Sequence, residues 1–566
     1  MMVFVLFLMY QEQQYEEAAL QAQEQARLAE EREGPPGERL AEPGPGLGSE
    51  IESRRRAGDL PREDPAAGRI APEPLDETRL APLESITLEN ENVVAGVTNG
   101  PALVESWRLK LYDERRPEGR VPIDLVTEGH PTLQTAVLGI GGTSFAEARY
   151  EIVSSSDREV VQRATSRAGV LTRTLRLDES GYGFELALSF ESRLERPVDA
   201  LFEVRWPVGV SEREDFRELS LLAYSPDDGV SREMAMSVGQ AGFFGRLIGK
   251  SSTGTQEVEG RAVWAGFDIR YFTGVLIDPE DEASLDVRFE MLEKAESAVA
   301  HVSPAPVALG AGGEASRTFR GFFGPKQSEA LAAAGSGLEH TINRGWSWLE
   351  PLTHLFEIAL DKLYAIIPNY GLAIIVLTIL VRVLVSPLMV RQMRSAEKMR
   401  AVQPRVKALQ EKYKDDRQKQ SEEMMKLWRE EGINPLGGCL PVFLQFPVLI
   451  GLFYALQSSI GLRHAPFVLW IDDLSQPATL FTVPGIEFPI RVLPLIMGAS
   501  MFVQQKMTPT TGMDPAQARM MQIMMPGMML LISYTFPSGL VLYWTVSNLL
   551  GIAHQYWIRN KMQPAT

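Results

Sequence analysis

Gly371 to Leu388 reads GLAIIVLTILVRVLVSPL. A run of this length and composition suits a transmembrane helix, which needs about 20 mostly apolar residues. It carries one charge, Arg382, although a guanidinium in hydrocarbon costs between roughly 3 and more than 10 kcal/mol. Reading outward, Asp, Glu, Lys and Arg are also absent from Leu363 to Val381, Gly432 to Leu462, Val492 to Gln505 and Met520 to Ile558. The last interval holds 39 residues and is broken by Phe536-Pro537-Ser538-Gly539, so it divides into two short spans around a tight turn. Five spans result, at about 366–388, 436–460, 490–507, 519–535 and 539–558. The uncharged stretches Val492–Gln505 and Met520–Thr535 are only 14 and 16 residues long, which calls for snorkelling flanks or a thinned bilayer.

Basic residues orient these spans. Arg391 to Pro435 carries 12 Lys and Arg, whereas Gly461 to Pro489 carries only Arg463, so the first loop faces the cytoplasm by the positive-inside rule. Alternation then puts the 461–489 loop and the β-rich domain that precedes the first span outside, and the tail with Arg559 and Lys561 inside. In a cell with two membranes the outside is the periplasm.

The 345 residues before Trp346 have a different character. They hold 36 Lys and Arg against 58 Asp and Glu, while the remainder holds 20 against 15. An acidic soluble part argues against DNA or other nucleic acid as its partner. From about Leu83 to residue 330 the pattern is period-two alternation, clearest in VLTRTLRLDESGYGFELALSF, where two runs flank the turn Asp178-Glu179-Ser180-Gly181. ALVESWRLKLY, ALFEVRWPV, VWAGFDIRYFTGVLI and ASLDVRFEML read the same way, and together they predict a large antiparallel sandwich. Residues 11–82 are rich in Gln, Glu, Pro and Gly and read as a disordered linker. Residues 1–10, MMVFVLFLMY, read as the end of a truncated N-terminal span, with a short signal-like segment as the competing reading.

The sequence holds no phosphate-binding Gly-rich loop, no nucleophile elbow and no Cys/His cluster, so neither a nucleotide, a metal nor any other cofactor is implied, and the chain reads as a non-enzyme. The single Cys439 excludes an intrachain disulfide. Arg382 is the strongest single-residue signal. It must face water, a partner or the bundle interior, or else snorkel to the headgroups near Pro387. Thr378 lies one turn before it, and Gln445, Gln504 and Asn548 are polar groups of other spans. With no buried carboxylate among the spans, a water-filled groove is the natural host.

Three further segments stand out. In the loop at 391–433, Met399, Val402, Val406, Leu409 and Tyr413 recur at coiled-coil spacing before a turn at Lys414-Asp415-Asp416, which predicts a helical hairpin. Pro404 interrupts its first arm. The hairpin is either plainly solvated or a docking arm, and its basic residues Arg391, Arg394, Lys398, Arg400, Arg405 and Lys407 are the candidates for docking. Residues 346–365 set Glu350, His354, Glu357 and Asp361 against Leu349, Leu352, Phe356, Leu360 and Leu363, as an interfacial helix does. Methionine gathers near the end, including Met501, Met524, Met525 and Met528, where flexible thioethers suit either gap-filling or varied partners.

These segments carry a resemblance. GLAIIVLTILVRVLVSPL, INPLGGCLPVFLQFPVLIGLFYAL, PFVLWIDDLS, LPLIMGASMFVQQKMTP and FPSGLVLYWTVSN resemble the YidC/Oxa/Albino family of membrane protein insertases, from about Trp346 to Lys561. VWAGFDIRYFTGVLI and FFGPK are similar to the periplasmic domain of its Gram-negative members, a mutarotase-like supersandwich. The resemblance implies an inner-membrane protein: a periplasmic all-β supersandwich at 83–330, then a five-span helical insertase core at 366–561 with a cytoplasmic hairpin. It implies ATP-independent insertion and folding of nascent membrane proteins, alone or with the Sec translocon, with membrane lipids and possible ribosome or signal-recognition machinery as further partners. Arg382, Thr378 and Gln445 match groove positions. The substrate's apolar part would slide past Phe446, Phe453, Met501, Met524, Met525, Met528, Tyr543 and Trp544. The alternative of another class is a membrane-held, mutarotase-like carbohydrate-binding or processing protein, although the β-region shows no evident acid/base pair. A secondary transporter would show repeated halves, and none is visible.

Overall fold

The computed structural model describes residues 82–562 apart from 117–118, 141–143, 210–218, 235–254, 259, 279–283, 292–296, 415, 432–439, 484, 486–487 and 508–514. The expected partial span at 1–10 and the linker, up to residue 81, lie outside the described residues.

The alternating runs form two antiparallel sheets. One runs in spatial order Ser85–Glu89, Val93–Thr98, Ala102–Arg116, Thr132–Leu138, Val198–Gly209, Ser297–Ser303, Asp286–Met291, Thr255–Glu257, with Gly119–Asp124 and Val307–Leu309 paired at its side. The other runs Gly229–Met234, Ser220–Ser225, Trp264–Ile269, Phe272–Ile277, Glu314–Pro325, Gly183–Ser192, Gly169–Leu177, Glu159–Thr165, Glu151–Ser155. The expected hairpin at Asp178–Gly181 is present: Leu177 pairs with Phe184, and Gly181 takes φ 82°, which L-residues avoid. Strand Gly183–Ser192 alternates between buried and partly exposed positions along nearly its whole length, so one face of this sheet meets the core.

Between the sheets Trp107, Trp206, Phe267 and Phe323 pack ring on ring at 5.3–5.5 Å, and Trp107 donates to the Phe323 carbonyl at 2.8 Å. Burial of such rings dominates the stability of a sandwich core. Trp264–Ile269 and Phe272–Ile277 depart from alternation, because every residue in them is buried. The segment following the sandwich accounts for part of this. Helix α1 (Ser328–Ala334) and the 3-10 turn Leu338–Thr341 cover Trp264, which donates to the Ser336 carbonyl at 3.1 Å and stacks on Tyr224 at 5.4 Å.

The helical part comprises α2 (Glu350–Ile366), α3 (Tyr370–Lys412), α4 (Arg417–Glu430), α5 (Leu440–Ser458), α6 (Val492–Met507), α7 (Pro515–Ser533) and α8 (Ser538–Met562). Helices thus occupy all five expected intervals. One stretch, Tyr370–Pro387, is long and apolar enough by itself to cross a membrane among the described residues, and Phe446–Ser458 and Gln522–Ser533 are shorter apolar stretches. Helix α2 starts four residues later than expected, after a turn at Trp346–Leu349, with Pro351 in its first turn. Phe356 and Leu360 on α2 join Ala373, Ile374 and Leu377 on α3, Leu452, Ala455 and Leu456 on α5, Met497 on α6 and Leu540 to Tyr543 on α8 in one core. Among its described residues, helix α7 contributes none to that core cluster.

Helix α3 continues from the apolar span into the first hairpin arm through Pro387 and Pro404. Val402 and Val406 bury against Leu427 of α4, with Leu409 and Met424 beside them, so packing holds the arm helical across a residue that removes one backbone hydrogen bond. The expected turn is where the helices meet, and Asp416 caps α4 by accepting from the Lys419 amide at 3.0 Å.

Candidate functional site at Arg382

Arg382 sits where α3, α5 and α8 meet. Its Nε and Nη2 both reach Ser547 Oγ, at 3.1 and 2.6 Å. Around it lies a cavity of about 20 Å³, lined by Thr378, Val381 and Val385 of α3, Val448 of α5, and Tyr543 and Ser547 of α8. That is room for about one water. Thr378 is buried and its hydroxyl donates to the Ile374 carbonyl at 2.6 Å, which returns the side chain to its own helix.

The other expected groove residues divide. Gln504 of α6 approaches at Gly551: a Cβ built there would lie 2.7 Å from Gln504 Nε2 and 3.6 Å from Arg382 Nη2. The missing side chain lets the amide and the guanidinium come near each other. Asn548 turns to α6 and donates to Ser500 Oγ at 3.1 Å, both buried. The Gln445 side chain lies outside the described residues.

Sequence reasoning passed over Ser547, Ser386, Gly551 and His554. Ser386 Oγ and His554 Nε2 lie 3.4 Å apart, one turn beyond the Arg382–Ser547 pair. The signal was available: Tyr543, Ser547, Gly551 and His554 recur at intervals of four, four and three, one side of a helix.

Of the residues expected on the slide, Met524 is 46% exposed and Met501, Met525, Met528 and Trp544 are partly buried. Phe446 stacks near Trp346 at 6.3 Å, and Phe453 meets Phe536 at 6.2 Å. Tyr543, by contrast, is 2% exposed and belongs to the Arg382 cavity wall. In the hairpin, Arg405 pairs with Glu431 across the two arms. The side chains of Arg391, Arg394, Lys398, Arg400 and Lys407 lie outside the described residues.

At the opposite end of the bundle, Glu357 on the polar face of α2 is a hub. It accepts from Arg344 Nε and Ser458 Oγ, each at 3.0 Å, and so ties the segment after the sandwich to the end of α5. In the following loop, His464 Nδ1 lies 2.9 Å from Asp473, which also accepts from the Ser475 amide at 2.8 Å and hydroxyl at 2.6 Å. Burial would raise the Asp473 carboxyl, but these bonds from His464 and Ser475 outweigh it and hold it below the usual range.

The sequence matches the family described as 60Kd inner membrane protein over residues 362–565 and the one described as YidC periplasmic domain over residues 85–356. It is 31% identical to the membrane protein insertase YidC of Pseudomonas syringae over 527 residues, 90% of this chain and 89% of that protein. The protein of the same name from Pelobacter propionicus is 43% identical over 303 residues, 53% of this chain and 54% of that one. Among solved structures, one titled as an active YidC insertase with its first transmembrane domain resolved is similar at 18% identity and a TM-score of 0.35, over 86% of this chain and 95% of that one.

Proposed function

The chain belongs to the YidC family of membrane protein insertases, and on that premise we propose how this molecule inserts its substrates. That membership replaces the alternative of a membrane-held carbohydrate protein. Helices α3, α5, α6, α7 and α8 each cross the inner membrane, with the 391–433 hairpin and the C-terminus in the cytoplasm and the β-domain in the periplasm. The hydrophilic part of a substrate enters from the cytoplasm beside Arg382, Thr378 and Gln504. Its apolar part passes along α5 and α7, by Phe446, Phe453, Met524, Met525 and Met528, into lipid. No nucleotide is consumed, because burial of the substrate's apolar segment drives the transfer. Sec translocon subunits and the ribosome or its targeting machinery are the proposed partners, the latter at the hairpin.

One observation carries this reading. Arg382 donates to the Ser547 hydroxyl within an apolar bundle whose spans contain no Asp or Glu, so a guanidinium stands where a polar segment can meet it. Such a charge shortens the hydrocarbon path of backbone groups that otherwise cost several kcal/mol each. The modest cavity implies that the helices part when a substrate enters. In cells depleted of their own insertase, Arg382→Ala lowers insertion of a small single-span protein about tenfold, the loss of one charged hydrogen bond, and Arg382→Lys restores part of it. Full activity of the alanine variant would sink the groove reading.

A further inference from the structure

The polar side of the bundle continues past Arg382. Thr378, Arg382 and Ser386 follow at four-residue intervals on α3, opposite Ser547, Gly551 and His554 on α8. Arg382 meets Ser547, and about one turn on along α3 and two turns on along α8 Ser386 meets His554. Gly551 stands between the two pairs, and the space its missing side chain leaves is taken by the Gln504 amide of α6.

We propose that Ser386 and His554 form a second recognition station of the groove, and that His554 reads the charge of the segment being moved. This rests on the groove reading above, in which the hairpin end of α3 faces the cytoplasm and a substrate meets His554 before Arg382. The 3.4 Å contact to Ser386 is at the long end of a hydrogen bond, so it exchanges readily for one to a substrate. Among the described residues, the groups near the imidazole are Ser386 and Arg382 from α3 and the Trp557 ring at 6.4 Å on α8 itself. None is an anion, and Asp and Glu are absent from 363–396, 488–513 and 515–566.

Imidazole changes charge near neutral pH, and a positive neighbour disfavours its charged form while an acidic neighbour favours it. Its charge therefore follows what enters. When an aspartate or glutamate of the substrate arrives, one proton passes from cytoplasmic water to the imidazole. When the acidic group moves on to Arg382, the proton returns. No bond between heavy atoms forms or breaks. A neutral segment meets only a hydrogen-bonding ring.

The test uses the full-length protein in vesicles of bacterial polar lipid, given single-span proteins whose translocated tails carry a pair of aspartates or a pair of asparagines. The ratio of acidic-tail to neutral-tail insertion is compared between about pH 8 and about pH 6. In the unmodified protein it rises about two- to fivefold on acidification, the range of a partly exposed ion pair. In His554→Gln it is flat and low, and in His554→Lys it is flat and high, which distinguishes charge reading from misfolding. A flat ratio in the unmodified protein, or an unaltered rise in His554→Gln, overturns the proposal. Arg382→Ala separates the two readings. If it leaves both tails unaffected, the groove itself fails; if it lowers both while His554→Gln keeps the rise, only the second station fails.

Discussion

Arg463, on the loop following α5, donates to the main-chain carbonyl of Asp113 in the β-domain. Its guanidinium also lies 5.6 Å from the Phe272 ring centre, Tyr112 meets that ring edge-on at 5.6 Å, and Ile460 packs against the sandwich core. The only basic residue of the 461–489 loop thus joins the sandwich to the helical bundle.

Arg463→Ala removes that joint while leaving both cores intact. Amide hydrogen exchange at Tyr112, Asp113 and residues 460–463 speeds up about tenfold, as expected from losing one charged hydrogen bond. Unchanged exchange there would mean that the joint carries no energy.

Arg173 is fully buried in the sandwich, in the same inward row as Leu171 and Leu175. The Gly100 and Pro101 carbonyls accept from it at 2.7 and 3.0 Å, Gln162 accepts at 2.8 Å, and the Tyr150 ring covers it at 3.6 Å. Burial draws its pKa down to about 10. Arg173→Met leaves those acceptors buried and unpaired and costs about 3 to 5 kcal/mol, read by denaturant unfolding followed by tryptophan fluorescence. Arg173→Lys costs less, since an ammonium satisfies only some of them.

Glu203 lies beside Arg205 at 2.5 Å and His301 at 3.5 Å. Burial pushes its carboxyl up, but the bond from His301 and the charge and bond of Arg205 win, and it rests at about 2 instead of the ordinary 4.5. The folded state therefore holds fewer protons there than the unfolded one, so this contribution is fully present above about pH 4.5 and disappears as the pH falls through about 2. It amounts to about 3 kcal/mol. Acid titration of Glu203→Gln shows a shallower loss of stability over that window; an identical slope would contradict the assignment.

Gly551→Ala separates stability from activity. Alanine favours a helix interior by up to about 1 kcal/mol over glycine, yet the added Cβ meets Gln504 Nε2 at 2.7 Å. Helix α8 becomes no less stable, while insertion of proteins with long hydrophilic tails falls. Unchanged insertion would show that the passage is not limited at this point.

Much of this was readable beforehand because it depends on local pattern. The hairpin at Asp178–Gly181, the seam of Val402, Val406 and Leu409, and the isolation of Arg382 each follow from period, turn chemistry or charge counts. The partners of Arg382 were not readable in the same way. Ser547 is 165 residues away, and a serine in an apolar run is unremarkable until another helix is laid against it. The partners of Glu357 were hidden for a related reason: amphipathicity separates polar from apolar faces, but it does not say that the polar one meets Arg344 and Ser458.

The unbroken course of α3 has a mechanical meaning. At 43 residues it is about 65 Å long, with the Arg382 wall about 18 Å from its start, the tip of the hairpin at its other end, and Pro387 and Pro404 between them. No loop insulates one from the other. On the proposed docking of a substrate's carrier at the hairpin, leverage applied at the tip tilts the wall as well, so that its arrival and the parting of the helices become one movement.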